Sequence, residues 1–232
     1  MAATAPGYEE FDDCPGTDVD PTLQICVVSI VPDGHLKMGT KNTPITDPIE
    51  LVGSLGPSGQ MVVGKFDGGR QKVPGGLVGL TGLDWLTWIY PLSLLNVYAE
   101  AELAGTPGNP LVVPFPLPLK VKLDNPLLAP TCYIGSDSNP IQLNLIGSPE
   151  PTLTPDPNLP GVIRLTDGVL TDHTFSVPAA SGCDLLGLGL IDVLVNAQAG
   201  LPSPSGNNEA VQEVHGALAA LPAIYPPDGT EQ

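Results

Sequence analysis

Proline and glycine punctuate this chain so densely that it has no room for long helices. The 232 residues include 28 prolines and 27 glycines, together 55 positions. A proline inside a helix removes a backbone donor and clashes with the preceding turn, and a glycine there costs backbone entropy. What survives between such breakers is short extended segments and tight turns. Hydrophobic residues make up 42% of the chain and mean hydropathy is +0.16. That content supports a packed core, where a proline- and glycine-rich chain of low hydropathy would stay disordered.

The apolar pattern between the breakers has a period of two. Residues 97–104 (VYAEAELA), 119–125 (LKVKLDN) and 141–146 (IQLNLI) alternate in the manner of half-buried strands. Residues 25–31 (ICVVSIV) form a β-branched run. Pro32-Asp33-Gly34 then reads as a turn, with residues 35–38 as the returning arm of a hairpin. Further short strands are predicted at 48–55, 61–66, 132–135, 162–165, 169–170 and 174–177. Residues 111–118, with three prolines, read as an edge or extended connector. Residues 210–220 suit either a helix or a last strand. The best helix is 83–90, which holds both tryptophans and is closed by Pro91, and a weaker one spans 184–198. The expected fold is all-β: a sandwich or barrel of many short strands, with one or two short capping helices. Residues 14–221 would form a single domain, with a proline-rich loop at 147–160. Residues 1–13 would be a flexible acidic lead-in and 222–232 a loose tail.

A formal net charge of −17, with eight lysines and arginines, argues against nucleic acid and against an anionic lipid surface as partners. No run of about 18 apolar residues is present, so no transmembrane segment is predicted. Met-Ala-Ala-Thr-Ala-Pro at the start reads as a mature N-terminus whose signal peptide has been removed, with Met1 as an added initiator.

The stretches VPGGL, NVYAEAELAG, LKVKLDNPLL…CYIGS, a late SGC and LPSPSGNNEAV resemble a group of uncharacterised secreted proteins of actinobacteria. The similarity spans most of residues 14–220, and the LDNPLL…CYIGS block is its most specific part. The resemblance implies export and paired cysteines. It lends no catalytic residues. The four cysteines allow three connectivities, which sequence alone leaves open. The favoured pairing joins Cys14 to Cys26 around a turn-rich loop, and Cys132 to Cys183 across the proline-rich loop. Each bridge would add about 3–4 kcal/mol in the chain-entropy model. Disulfides place such a chain outside the reducing cytoplasm, that is, secreted or extracellular. A zinc site is the rival use, but no CxxC is present and no histidine has ligand spacing to a cysteine.

Candidate chemistry is sparse. No GxSxG occurs; Ser58 and Ser205 sit in glycine-rich turns. Of His35, His173 and His215, His173 follows an acid in Thr-Asp-His-Thr. Glu100 and Glu102 share one strand face, as a glycosidase pair would, or as the wet face of a sheet would. Asp12, Asp13, Asp18 and Asp20 crowd the first cysteine loop, and Asp18 and Asp20 are candidate calcium ligands; no other cofactor is expected. Trp85, Trp88 and Tyr90 are candidate contacts for an apolar ligand. The expected role is non-enzymatic: a structural or interaction protein of the cell envelope or extracellular space, self-assembling or bound to another envelope component. A carrier of an apolar small molecule is the alternative, and an extracellular hydrolase a third.

Overall fold

A computed structural model describes residues 4–184 and 189–226. Its strands are β1 (Ile25–Met38), β2 (Lys41–Ile45), β3 (Ile49–Leu55), β4 (Met61–Lys72), β5 (Tyr98–Leu103), β6 (Phe115–Asp124), β7 (Tyr133–Ile134), β8 (Ile141–Gly147), β9 (Thr152–Pro155), β10 (Val162–Asp172), β11 (Ala180–Ser181) and β12 (Glu209–Ala220). The helices are α1 (Gly76–Thr81), α2 (Leu86–Ile89), α3 (Leu190–Ala199) and α4 (Leu221–Ile224).

Eight strands close into an antiparallel barrel in the order β6-β5-β4-β3-β1-β12-β10-β8, and β8 returns to β6. The other four lie outside the ring, β2 on β1, β9 on β10, β7 on β6 and β11 on β7. Closure removes the free edges that an open sheet of this length would expose. Alternation decides which face turns inward. On β6, Phe115, Leu117, Leu119, Val121 and Leu123 are buried while Lys120 and Lys122 face out. Ile141, Leu143 and Leu145 of β8 point inward against exposed Gln142 and Asn144. An apolar lumen with a charged outer wall is the reverse of a barrel whose wall meets lipid.

Proline and glycine act here in ways the sequence does not announce. Pro32-Asp33-Gly34 makes no turn: β1 runs straight through it, and its register against β12 shifts between Ile30 and Asp33. The shift is a bulge, which proline tolerates. Gly34 has φ +137°, and a Cβ there would lie 2.2 Å from the Val211 carbonyl oxygen, so only glycine fits. Residues 111–118 are likewise not an edge, because β6 starts at Phe115 inside the ring. The Pro116 and Pro118 carbonyls accept from Gly108 and Ala104, so the missing N–H groups of both prolines face that loop. Phe115, Leu117 and Leu119 keep the ladder to β8.

A second apolar layer covers part of the outer wall. Cys26 and Val28 of β1, Val52 of β3, Val162 of β10, and Ala217 and Ala219 of β12 meet Tyr8, Phe11, Leu23, Leu221 and Ile224. The expected flexible lead-in is therefore folded from Thr4 on: Phe11 is fully buried, and Ala5 N–H donates to the Ile224 carbonyl at 2.8 Å. The tail is packed at least as far as Tyr225, whose hydroxyl donates to the Cys14 carbonyl. Sequence hid this because four acids surround the two buried aromatics. Residues 1–3 and 227–232 lie outside the described residues, as do 185–188 at the start of the second expected helix. That helix is α3 where it is described.

Both disulfides have the favoured connectivity, Cys14–Cys26 and Cys132–Cys183, and all four cysteines are buried. The first fastens the outer layer to β1. The second ties the segment after β6 to the loop after β11, just ahead of α3. The proline-rich loop at 147–160 is partly strand: β9 lies along the first half of β10.

Candidate interaction surface

One end of the barrel is closed by residues 73–97, the connection from β4 to β5, together with α3. Residues 73–97 carry a single charged side chain, Asp84, in a chain with 33 charged residues. Leu77 and Leu80 of α1 and Leu86 of α2 turn into the core, and Leu83 and Tyr90 pack partly against it. Val73, Leu95 and Val97 are buried as well, and five large side chains are left facing water. Trp88 is 90% exposed, Leu92 73%, Ile89 64%, Trp85 54% and Leu94 40%. Together they expose about 450 Å² of apolar surface, taking about 200 Å² for a tryptophan side chain and about 100 Å² for a leucine or isoleucine. That reaches the range in which a patch on a monomer signals binding.

The ridge is held in place from beneath. Asn125, in the LDNPLL block, donates from Nδ2 to the Leu94 and Asn96 carbonyls at 2.8 and 2.7 Å and accepts from Leu127 N–H. Lys41 Nζ donates to the Gly79 carbonyl. α3 packs on α1, and Asn196 clamps it to β11 by donating to and accepting from the Ala180 backbone. α3 adds two exposed side chains of its own, Leu190 and Val193. Beside the ridge lies an open groove of about 560 Å³. Val73, Pro74, Val78, Leu92 and Leu95 line it with Lys72 and Thr87, the residue before Trp88 in sequence.

The two tryptophans of the expected helix thus point outward, with Ile89 beside them. Periodicity identifies a face but not its direction, and in the four-residue α2 the single inward position belongs to Leu86. None of the tryptophans reaches the lumen. The cavity there is lined from all eight barrel strands, among them Ser29, Leu51, Phe66, Ala101, Leu145, Leu170 and Gln212, and its volume is about 30 Å³. That is room for about two water molecules.

The other sequence candidates fall into separate small groups. Glu102 accepts from the Tyr133 hydroxyl at 3.1 Å and faces Lys120 at 3.7 Å, while Lys120 donates to Asp137 at 2.8 Å. The Asp137 hydrogen bond holds the Lys120 ammonium above its ordinary value, and burial, then Glu102, pushes the Tyr133 phenol up. Both groups therefore keep their protons at neutral pH, and the cluster braces the wall. His173 Nδ1 lies 3.5 Å from Glu209, which also meets His35 Nε2 at 3.3 Å. Ser205 donates to the Thr174 carbonyl, and among the described residues no hydrogen bond joins a serine to a histidine. Asp20 accepts from the Thr22 N–H and hydroxyl. Among the described residues no three acidic, histidine or cysteine side chains converge on a metal position. No described helix is long and apolar enough to cross a membrane.

The fold and this surface define a disulfide-stapled, closed eight-stranded antiparallel barrel with a filled lumen and an apolar ridge at one end. Family models, curated proteins and solved structures give no significant match to the chain.

Proposed function

We propose that this protein is a non-enzymatic interaction protein of the extracellular space or cell envelope, and that it binds its partner through the ridge of Trp85, Trp88, Ile89, Leu92 and Leu94. The observation that carries this reading is the outward orientation of Trp88, 90% exposed on a well-anchored loop. A tryptophan contributes more to an interface than almost any other side chain, and a solvated one is a cost that a purely structural barrel has no reason to keep. Two buried disulfides and the resemblance to exported proteins support the location. The cavity between Phe66, Leu145 and Gln212 inside the barrel, about 30 Å³, is too small to enclose an apolar small molecule.

Site-specific photo-crosslinking in the producing cells tests the proposal. Benzoylphenylalanine at position 88 should give a discrete crosslinked product, and the same group at Gln142, exposed on the barrel wall, should give none. Equal or absent crosslinking at the two positions would remove the ridge as the binding surface.

A further inference from the structure

We infer that the occupant of this surface is a second copy of the chain, related by a two-fold axis, with the ridge of each copy seated in the groove of the other. The inference rests on the docking role proposed for the ridge and adds its partner. Three observations point the same way.

The first is adjacency. Exposed Trp88 and the groove are neighbours: Thr87, next to Trp88 in sequence, lines the groove, and Leu92 belongs to both ridge and groove. A two-fold contact joins one patch to itself, so it needs a projection and a matching recess within the same patch. The second is charge. At −17, two copies repel through most of their surfaces, whereas residues 73–97 bring one acid each. The same net charge turns the ridge away from anionic lipid. The third is an unmatched pair. Asp84 is exposed on the ridge next to Trp85, and Lys72 is exposed in the groove wall. Among the described residues neither makes an ion pair. The two-fold arrangement supplies each with its complement on the other copy, twice per dimer. The apolar area on two ridges sums to about 900 Å² before the groove walls that receive them are counted, against about 1,200 Å² at the lower edge of stable interfaces. The dimer should therefore be concentration-dependent, forming in the micromolar range.

Sedimentation of the intact, oxidised protein from about 1 to about 500 µM reads this directly. A monomer–dimer equilibrium is expected. Trp88→Ala should weaken it at least tenfold. Asp84→Lys and Lys72→Asp should each weaken it roughly tenfold, and the double variant Asp84→Lys/Lys72→Asp should recover most of the loss, because the reciprocal pairs are rebuilt with opposite sign. Both sites are exposed, and unchanged circular dichroism confirms the fold. Recovery in the double variant is an outcome that general destabilisation does not produce. A dimer indifferent to these variants would overturn the inference. So would a protein that stays monomeric throughout; if its position-88 crosslink to another molecule persists, the docking role stands and only the second copy is lost. A monomer that partitions onto phosphatidylcholine vesicles through Trp88 would make lipid the occupant instead.

Discussion

Removing the Cys132–Cys183 bridge should destabilise the barrel more than removing Cys14–Cys26, and loop length sets the difference. The first spans 51 residues and the second 12. In the chain-entropy model these correspond to about 4 and about 3 kcal/mol of lost restriction on the unfolded chain. Both bridges are buried, so the variants Cys132→Ala/Cys183→Ala and Cys14→Ala/Cys26→Ala compare like with like. The assay is urea unfolding followed by far-ultraviolet circular dichroism. Tryptophan fluorescence is a poor probe, because both tryptophans are already in water when the protein is folded. The longer-loop variant should show the lower midpoint by a margin matching about 1 kcal/mol, with a slightly steeper slope as its unfolded chain expands. The shorter-loop variant should show a separate local effect. Hydrogen exchange should accelerate over residues 5–23 while the barrel stays protected, since that bridge fastens the outer layer. If the 12-residue bridge proves the costlier loss, loop entropy is not what these bridges contribute, and native packing of the outer layer must dominate.

Other expectations follow from single contacts. Asn125→Ala strips three hydrogen bonds from the base of the ridge and should cost about 2–4 kcal/mol in the same unfolding assay; a loss below about 0.5 kcal/mol would mean the ridge is held by packing alone. Gly216→Ala places a Cβ 1.9 Å from the Val28 carbonyl oxygen, where β1 and β12 meet, and should cost upwards of about 3 kcal/mol; a near-neutral result would contradict that register. Asp156 accepts from Asn158 N–H and pairs with Arg164, and these partners, the first foremost, hold its carboxyl below the usual value. Its stabilising contribution is complete above the unfolded carboxylate value of about 3.9 and is lost as pH falls through the lower folded value. Wild type should therefore lose stability more steeply than Asp156→Asn below about pH 4; parallel urea midpoints across that range would refute the assignment.

The strands were legible where one face is wet. β5, β6 and β8 show their alternation plainly, because Glu100, Lys120 and Gln142 oppose buried neighbours. The breaker-free β-branched start of β1 was equally readable. Closure was not. Sandwich and barrel differ in whether β6 meets β8 and β1 meets β12, and no local pattern encodes a pairing between residues so far apart. Turn chemistry misled at Pro32–Gly34 because the same residues that reverse a chain also make a bulge. The ridge could be located but not oriented. Residues 73–97, with one charge among them, look like core, and only the tertiary structure shows that Leu86 takes the inward position and leaves Trp88 outside. Asn125 was missed as an anchor because a single asparagine before a proline gives no signal of what its side chain will hold. The paired approach of His35 and His173 to Glu209 was invisible for the same reason: three elements supply it.

The pairing of β1 with β12 sets Ile25 opposite Ala220. The most β-prone segment of the chain pairs on one edge with β3, made soon after it, and on the other with a strand made nearly two hundred residues later. At about 5–20 residues per second, β1 waits roughly 10–40 s before β12 exists. During that wait one edge of its apolar run stays unpaired beside β3, the kind of surface from which misassembly starts. Non-local pairing of this sort also folds slowly once the chain is complete. The acidity of the chain acts in that interval: incomplete chains repel one another until the last strand arrives, and the ring closes only when first and last strands meet.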